Sequence, residues 1–172
     1  FVENNAPQSM KRLGLDYPSL KELKPELIVT SITSYGQTGP YKDYKAYDIN
    51  CCAAGGISFG IGYPDREPLV LPLFQADLQA GLAGAVATLV ALLARDRTGR
   101  GQHVDVSETD VLATIFVGMH ILTYIYLGVS GIRRGYRGGL GQYPFAFLPC
   151  KDGYVCAYAP QLSQWVRFTE VM

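Results

Sequence analysis

The segment 78–94 is almost continuously apolar and is threaded with small residues, Ala80, Gly81, Ala83, Gly84, Ala85 and Ala87. Small side chains let one backbone approach another closely, so the pattern predicts a central helix packed against other elements rather than one facing water. Asp96-Arg97-Thr98-Gly99 ends the run, glycine being the common residue just past a helix terminus. Asp77 stands immediately before it, where an irregular Pro- and Gly-rich stretch over 60–72 gives way to the apolar run. Aspartate is a favoured N-cap, and capping is the first role this position suggests. The positive end of the helix dipole also favours a carboxylate there. A carboxylate, with an ordinary pKa of about 3.9, is a nucleophile at neutral pH without help from a base. The two roles are compatible, and the rest of the chain decides between them.

Around this helix the pattern alternates. A short helix is predicted over 7–15, starting near Asn5 or Ala6 and ending at Gly14, then a helical turn over 20–23 closed before Pro25. The β-branched run over 27–32 reads as a buried, parallel strand. A polar loop rich in Gly and Tyr follows over 34–47, then a helix over 48–54 closed by Gly55-Gly56. Period-two alternation predicts a strand over 102–106. A second long apolar helix is expected over 111–129, and a basic, Gly-rich connector over 130–142. Lys151-Asp152-Gly153 between two apolar runs is a hairpin signal, and the chain from Pro160 onward reads as helical. Alternating strands and helices up to about residue 110 predict an α/β fold with a parallel sheet. The hairpin opens a second unit after residue 142.

With 48% hydrophobic and 17% charged residues, the 172-residue chain can build a packed core. A formal net charge of zero argues against nucleic acid as a partner. The four cysteines, Cys51, Cys52, Cys150 and Cys156, lack zinc spacing and are expected to be reduced and buried in a cytoplasmic protein. His103 and His120 lack metal-ligand spacing, so structural roles and no metal are expected. The run 111–129 holds nineteen residues without Lys, Arg, Asp or Glu, just enough to span a bilayer. Burial against a partner subunit, with no membrane, is the reading preferred here. The chain begins at Phe1 without an initiator Met or a basic leader and ends within a helical pattern. It is expected to be a segment of a longer protein.

Several motifs then fall into a known order. They are Pro25-Glu26-Leu27-Ile28, Ser31-Ile32-Thr33-Ser34-Tyr35-Gly36-Gln37-Thr38-Gly39-Pro40-Tyr41, Tyr47-Asp48, Ala54-Gly55-Gly56, Ala76-Asp77, Gly81 and Arg97-Thr98-Gly99-Arg100-Gly101-Gln102. In order and spacing they resemble class III CoA-transferases, the CaiB/BaiF family, over most of residues 1–110. The resemblance implies a partial Rossmann-like large domain over 1–110, a helical linker and Gly-rich flap over 111–141, and the start of a small α+β domain over 142–172. It also implies a homodimer whose two subunits interlock like links of a chain.

The family's catalytic aspartate falls on Asp77. The implied route begins with attack of this carboxylate on an acyl-CoA thioester, giving a mixed anhydride and CoA thiolate. The thiolate returns to form an aspartyl-CoA thioester, and an acceptor carboxylic acid then takes the CoA. CoA is thus a substrate, with no tightly bound cofactor. By the same resemblance Asn4, Asn5 and Ala6 line the nucleotide and pantetheine path, and Arg12 meets the CoA phosphates. Tyr44, Lys45, Ala46 and Tyr47 form the loop near the reacting thioester. Gly138, Gly139, Gly141 and Gln142 resemble the glycine-rich flap, although Leu140 interrupts the longer glycine run of formyl-CoA transferases, a departure that argues against formyl-CoA and oxalate as substrates.

Two alternatives are set beside this reading. α-Methylacyl-CoA racemases share the fold and use a His–Asp pair, but their histidine falls on Tyr47. A tyrosine, with an ordinary pKa of about 10, is a poor base near pH 7. The other alternative is a non-catalytic CoA-binding fragment, against which the intact Asp77 argues.

Overall fold

The computed structural model describes residues 1–115, 121–129, 133, 135 and 144–171. They fall into two compact units, Phe1–Ser58 with Val70–Phe116, and Phe59–Leu69 with Val117–Met172. The expected division into large domain, linker and small domain concerns the whole protein and stays a proposal.

The first unit is built on a parallel sheet of three strands, β1 (Val2–Glu3), β2 (Val29–Thr33) and β3 (His103–Ser107), in that spatial order. Val2 pairs with Thr30, and Val29, Ser31 and Thr33 pair with His103, Asp105 and Ser107. The central strand β2 falls on the β-branched run of the sequence, starting two residues later than expected and ending one later, and it is almost wholly buried. Two short helices join β1 to β2, α1 (Pro7–Leu13) and α2 (Tyr17–Leu23). Gly14 closes α1 in the left-handed conformation, as its place in the sequence predicts. Between β2 and β3 come the loop 34–47, α3 (Asp48–Ala54), α4 (Ile57–Gly60) and the long α5 (Gln75–Thr98). α6 (Glu108–Ile115) follows β3 directly.

Helix α5 lies on the sheet with its small residues inward. Ala76, Ala80, Gly84 and Ala91 are buried, while Leu78, Leu82, Val86, Leu89, Val90 and Leu93 are exposed. Spacings of four and seven residues place the buried set along one stripe. Gly84 is where contact is closest: a Cβ there would stand 2.9 Å from Ile32 Cδ1. One turn further on, the Thr88 hydroxyl meets that of Thr30 at 2.6 Å. Among the described residues α5 is also the helix long and apolar enough to cross a membrane by length and composition.

Three expectations need correcting. Helix α5 begins at Gln75 with Phe74 at its N-cap, so Asp77 is not the cap but lies within the first turn. It runs on to Thr98, because Asp96 and Arg97 are ordinary helix residues and only Gly99, at φ 68°, turns the chain. The helix expected over 111–129 crosses residues 116–120, His120 included, that lie outside the described residues; on either side of them stand the end of α6 and α7 (Leu122–Leu127). Of the four free cysteines, Cys51 and Cys52 are buried but Cys150 and Cys156 are exposed. The latter pair sits on a two-stranded hairpin, most of whose residues are exposed.

That hairpin belongs to the second unit and joins β4 (Phe145–Cys150) to β5 (Gly153–Tyr158), with Lys151 and Asp152 as its turn. Phe145 and Tyr158 face each other across it with ring centroids 4.8 Å apart. α8 (Leu162–Val171) closes the described chain.

Candidate active site

Three parallel strands end on one edge of the sheet, and the next residue of each is a polar one: Asn4 after β1, Ser34 after β2 and Glu108 after β3. Ligands of open α/β sheets bind outside the carboxyl ends of the strands. Two cavities occupy this edge, of about 320 Å³ and about 610 Å³. Asn4, Ser34, Ala46, Tyr47 and Glu108 line both.

The smaller cavity takes Asn4-Asn5-Ala6 as one wall and Tyr44-Lys45-Ala46-Tyr47 as another. These segments are about forty residues apart in sequence, and β1 pairing with β2 brings them together. The loop 34–47 is stiffened by its own aromatic rings. Tyr35, Tyr41 and Tyr44 form a triangle with centroids 5.3 to 6.5 Å apart. The Tyr35 phenol is pushed up from its ordinary value by burial, then by Cys51 and Tyr41. Arg12 is not brought in: it lies on an exposed face of α1, donating to Ser9 Oγ at 3.2 Å. Gly138, Gly139, Gly141 and Gln142 lie outside the described residues.

The larger cavity holds Asp77, together with Tyr47, Asp48, Leu73, Phe74 and Glu108. Asp77 is exposed, and among the described residues it makes no hydrogen bond to another side chain. The capping duty falls instead to Asp48, whose Oδ1 accepts the Ala76 N–H at 2.7 Å. A carboxylate from a neighbouring helix thus satisfies an orphan donor of α5 and leaves Asp77 free for other work. The chain enters α5 through two consecutive left-handed residues, Leu73 at φ 66° and Phe74 at φ 48°. Left-handed backbone costs a bulky residue about 1–2 kcal/mol, and strain of this kind gathers at functional sites.

Glu108 and Cys51 form the buried floor. Cys51 Sγ donates to Glu108 Oε2 at 3.2 Å. Burial pushes the Glu108 carboxyl above its usual range, and the charges of Asp77 and Asp48 push it further, against hydrogen bonds from Cys51 and Ser34. The Cys51 thiol is pushed up to about 11 by burial and by Glu108, and that of Cys52 to about 11 by burial and Asp48. Neither thiol is a nucleophile near neutrality. His103 is occupied structurally, stacked on Tyr17 at 5.0 Å and bonded to Ser31 Oγ at 3.0 Å.

Glu108 was not among the residues singled out from sequence. An acid at the start of an apolar helix reads as a favourable first-turn charge. The usable signal was its place directly after a period-two strand, at the carboxyl edge where ligands bind.

Fold and site together define an α/β protein with two cavities at the carboxyl edge of its sheet, one of them holding an unencumbered carboxylate on a helix's first turn. The chain belongs to CoA-transferase family III, whose profile matches residues 1–172. It is 32% identical to a succinate–glutarate CoA-transferase of Agrobacterium fabrum over 171 residues, 99% of this chain and 42% of that protein. It is 42% identical to an acetyl-CoA:oxalate CoA-transferase of Acetobacter aceti over 111 residues, 64% of this chain and 28% of that protein. A crystal structure of a CaiB/BaiF family protein from Brucella suis superposes with a TM-score of 0.82 at 34% identity, covering 99% of this chain and 44% of that one. The chain therefore spans less than half the length of these relatives.

Proposed function

We propose that the full-length protein moves CoA from an acyl-CoA thioester to a carboxylic acid through a covalent intermediate on Asp77. The observation that carries this reading is the wall shared by two cavities, one holding Asp77 and the other lined by the Asn4–Ala6 and Tyr44–Tyr47 segments. In the family's route the Asp77 carboxylate attacks the thioester carbonyl, giving the anhydride and CoA thiolate. The thiolate attacks the anhydride on the aspartyl carbonyl, releasing the donor acid and leaving aspartyl-CoA. The acceptor carboxylate repeats the exchange, and CoA leaves on the acceptor with Asp77 restored. Splitting the transfer in this way replaces one hard step by easier ones.

Asn4, Asn5, Ala6, Tyr44, Lys45, Ala46 and Tyr47 hold the CoA arm in this reading, with Arg12 at its phosphates and the 138–142 flap over the reacting group. Dicarboxylic acids are the favoured substrate class, since relatives carry succinate, glutarate and L-malate in their names. An interlocked homodimer in the cytoplasm completes the proposal. Tyr47, at the racemase histidine position, and relatives named as transferases favour transfer over epimerisation.

The test uses full-length protein incubated with a panel of acyl-CoAs, trapped with hydroxylamine or borohydride and mapped by peptide mass spectrometry. Modification at Asp77, absent from Asp77→Asn, is expected. No modification, with exchange of the substrate α-proton into deuterated water, would overturn the transferase reading.

A further inference from the structure

Among the described residues Glu108 is the carboxylate that lines both cavities, and the proposed route does not yet use it. It is only 8% exposed and is fixed from below by the Cys51 thiol at 3.2 Å. We propose that Glu108 is a further working residue of this site, its carboxyl O–H donating a hydrogen bond to the carbonyl oxygen that becomes an oxyanion as acyl groups pass on and off Asp77. The inference rests on Asp77 being the nucleophile.

Each exchange adds a nucleophile to a carbonyl and places negative charge on its oxygen, so a donor aimed there stabilises the transition state. Every reactant arrives as an anion, and an un-ionised acid supplies a donor where an ionised one would repel. The surroundings shift Glu108 towards its un-ionised form. Burial, and then the charges of Asp77 from α5 and Asp48 from α3, disfavour a further anion, while hydrogen bonds from Cys51 of α3 and from Ser34 pull the other way. From β3, Asp105 is engaged by the Gln37 N–H and His103 by Ser31 and Tyr17. Lys42 and Lys45 line the smaller cavity with it. The proton stays on Glu108 throughout: the bond tightens as the oxyanion forms and slackens as it collapses, while the electron pairs move only between carbonyl, carboxylate and thiolate.

The experiment takes full-length wild type, Glu108→Gln and Glu108→Ala, with succinyl-CoA as donor and glutarate as acceptor. The wild-type rate is expected to fall as Glu108 ionises at higher pH; Gln keeps an N–H donor at every pH, so its kcat is expected within a few-fold of wild type and without that alkaline fall. Ala is expected to lose about 100-fold in kcat, the loss typical of one oxyanion donor, with KM for succinyl-CoA little changed. Independently of turnover, the infrared difference between wild type and Glu108→Gln at pH 7 is expected to contain the carbonyl band of an un-ionised carboxylic acid. A missing band, an unchanged alkaline limb in Glu108→Gln, or a Gln variant as slow as Ala overturns the proposal. An Asp77 adduct in wild type alongside any of these sinks this proposal alone; no adduct in wild type sinks the nucleophile reading and this one with it.

Discussion

Replacing Asp48 should separate a structural bond from a charge. In Asp48→Ala the Ala76 N–H loses its 2.7 Å acceptor and the Cys52 thiol loses a 3.6 Å one. Loss of a helix cap costs about 1 kcal/mol and up to about 2, and ionised acceptors sit at the upper end of the scale for hydrogen bonds. The thiol contact is long and adds little. Removing a charge that bears on buried Glu108 gives a small return. A net loss of about 1.5 kcal/mol is expected for Ala. Asn keeps an acceptor oxygen of the same reach, so Asp48→Asn is expected to lose about a third as much. Urea denaturation followed by far-ultraviolet circular dichroism measures both, and a lowered midpoint with an unchanged slope marks a true loss of stability. Because the capped residue immediately precedes Asp77, the Ala variant should also trap less aspartyl adduct. The reasoning fails if Ala lies within about 0.3 kcal/mol of wild type, or if Asn is as damaging as Ala.

Four other outcomes follow from the geometry. The Glu108 carboxyl is raised in the folded state, so over the pH range between its unfolded and folded values the folded chain holds a proton that the unfolded chain has lost; stability must fall as pH rises through that range, and Glu108→Gln should flatten the slope in denaturation curves taken at successive pH values. An unchanged slope would refute it. Leu73 is exposed at φ 66°, so Leu73→Gly should hold or raise stability by about 1 kcal/mol while the β-branched Leu73→Val lowers it; the opposite order counts against the strained entry to α5. A Cβ on Gly101 would collide with the Leu27 carbonyl oxygen whereas one on Gly81 meets open space, so Gly101→Ala should cost about 2 kcal/mol or more and Gly81→Ala should add about 0.5–1 in thermal melts. Iodoacetamide should label exposed Cys150 and Cys156 well before Cys51 and Cys52, whose thiols are buried and held near 11; equal labelling would contradict that burial.

Elements whose start and stop are both written locally were legible in the sequence. Helix α3 matches its expected bounds because Asp48 opens it and Gly55-Gly56 closes it, and the hairpin follows from Lys151-Asp152-Gly153. What escaped depends on contacts distant along the chain. The two residues of β1 have no period to read and become a strand only by pairing with Thr30 and Ser31. The start of α5 was misplaced because its cap arrives from Asp48, twenty-eight residues upstream, while Asp77 mimics a local one. The segments 4–6 and 44–47 could be named from the family pattern, but their meeting at one cavity is a property of the sheet. Glu108 escaped because an acid after a strand reads first as a helix's opening charge, and its burial comes from packing against Cys51, far back along the chain.

The inverted packing of α5 bears on where the strength of this region comes from. Six large apolar side chains, Leu78, Leu82, Val86, Leu89, Val90 and Leu93, stand on the side away from the sheet, more than half exposed. Fully burying a side chain of this size contributes about 1.5–3 kcal/mol, so covering the strip would contribute on the order of 10 kcal/mol, comparable to the whole net stability of a typical domain. The helix that carries Asp77 is therefore held on the sheet by its smallest side chains, while its largest stand mostly in the open.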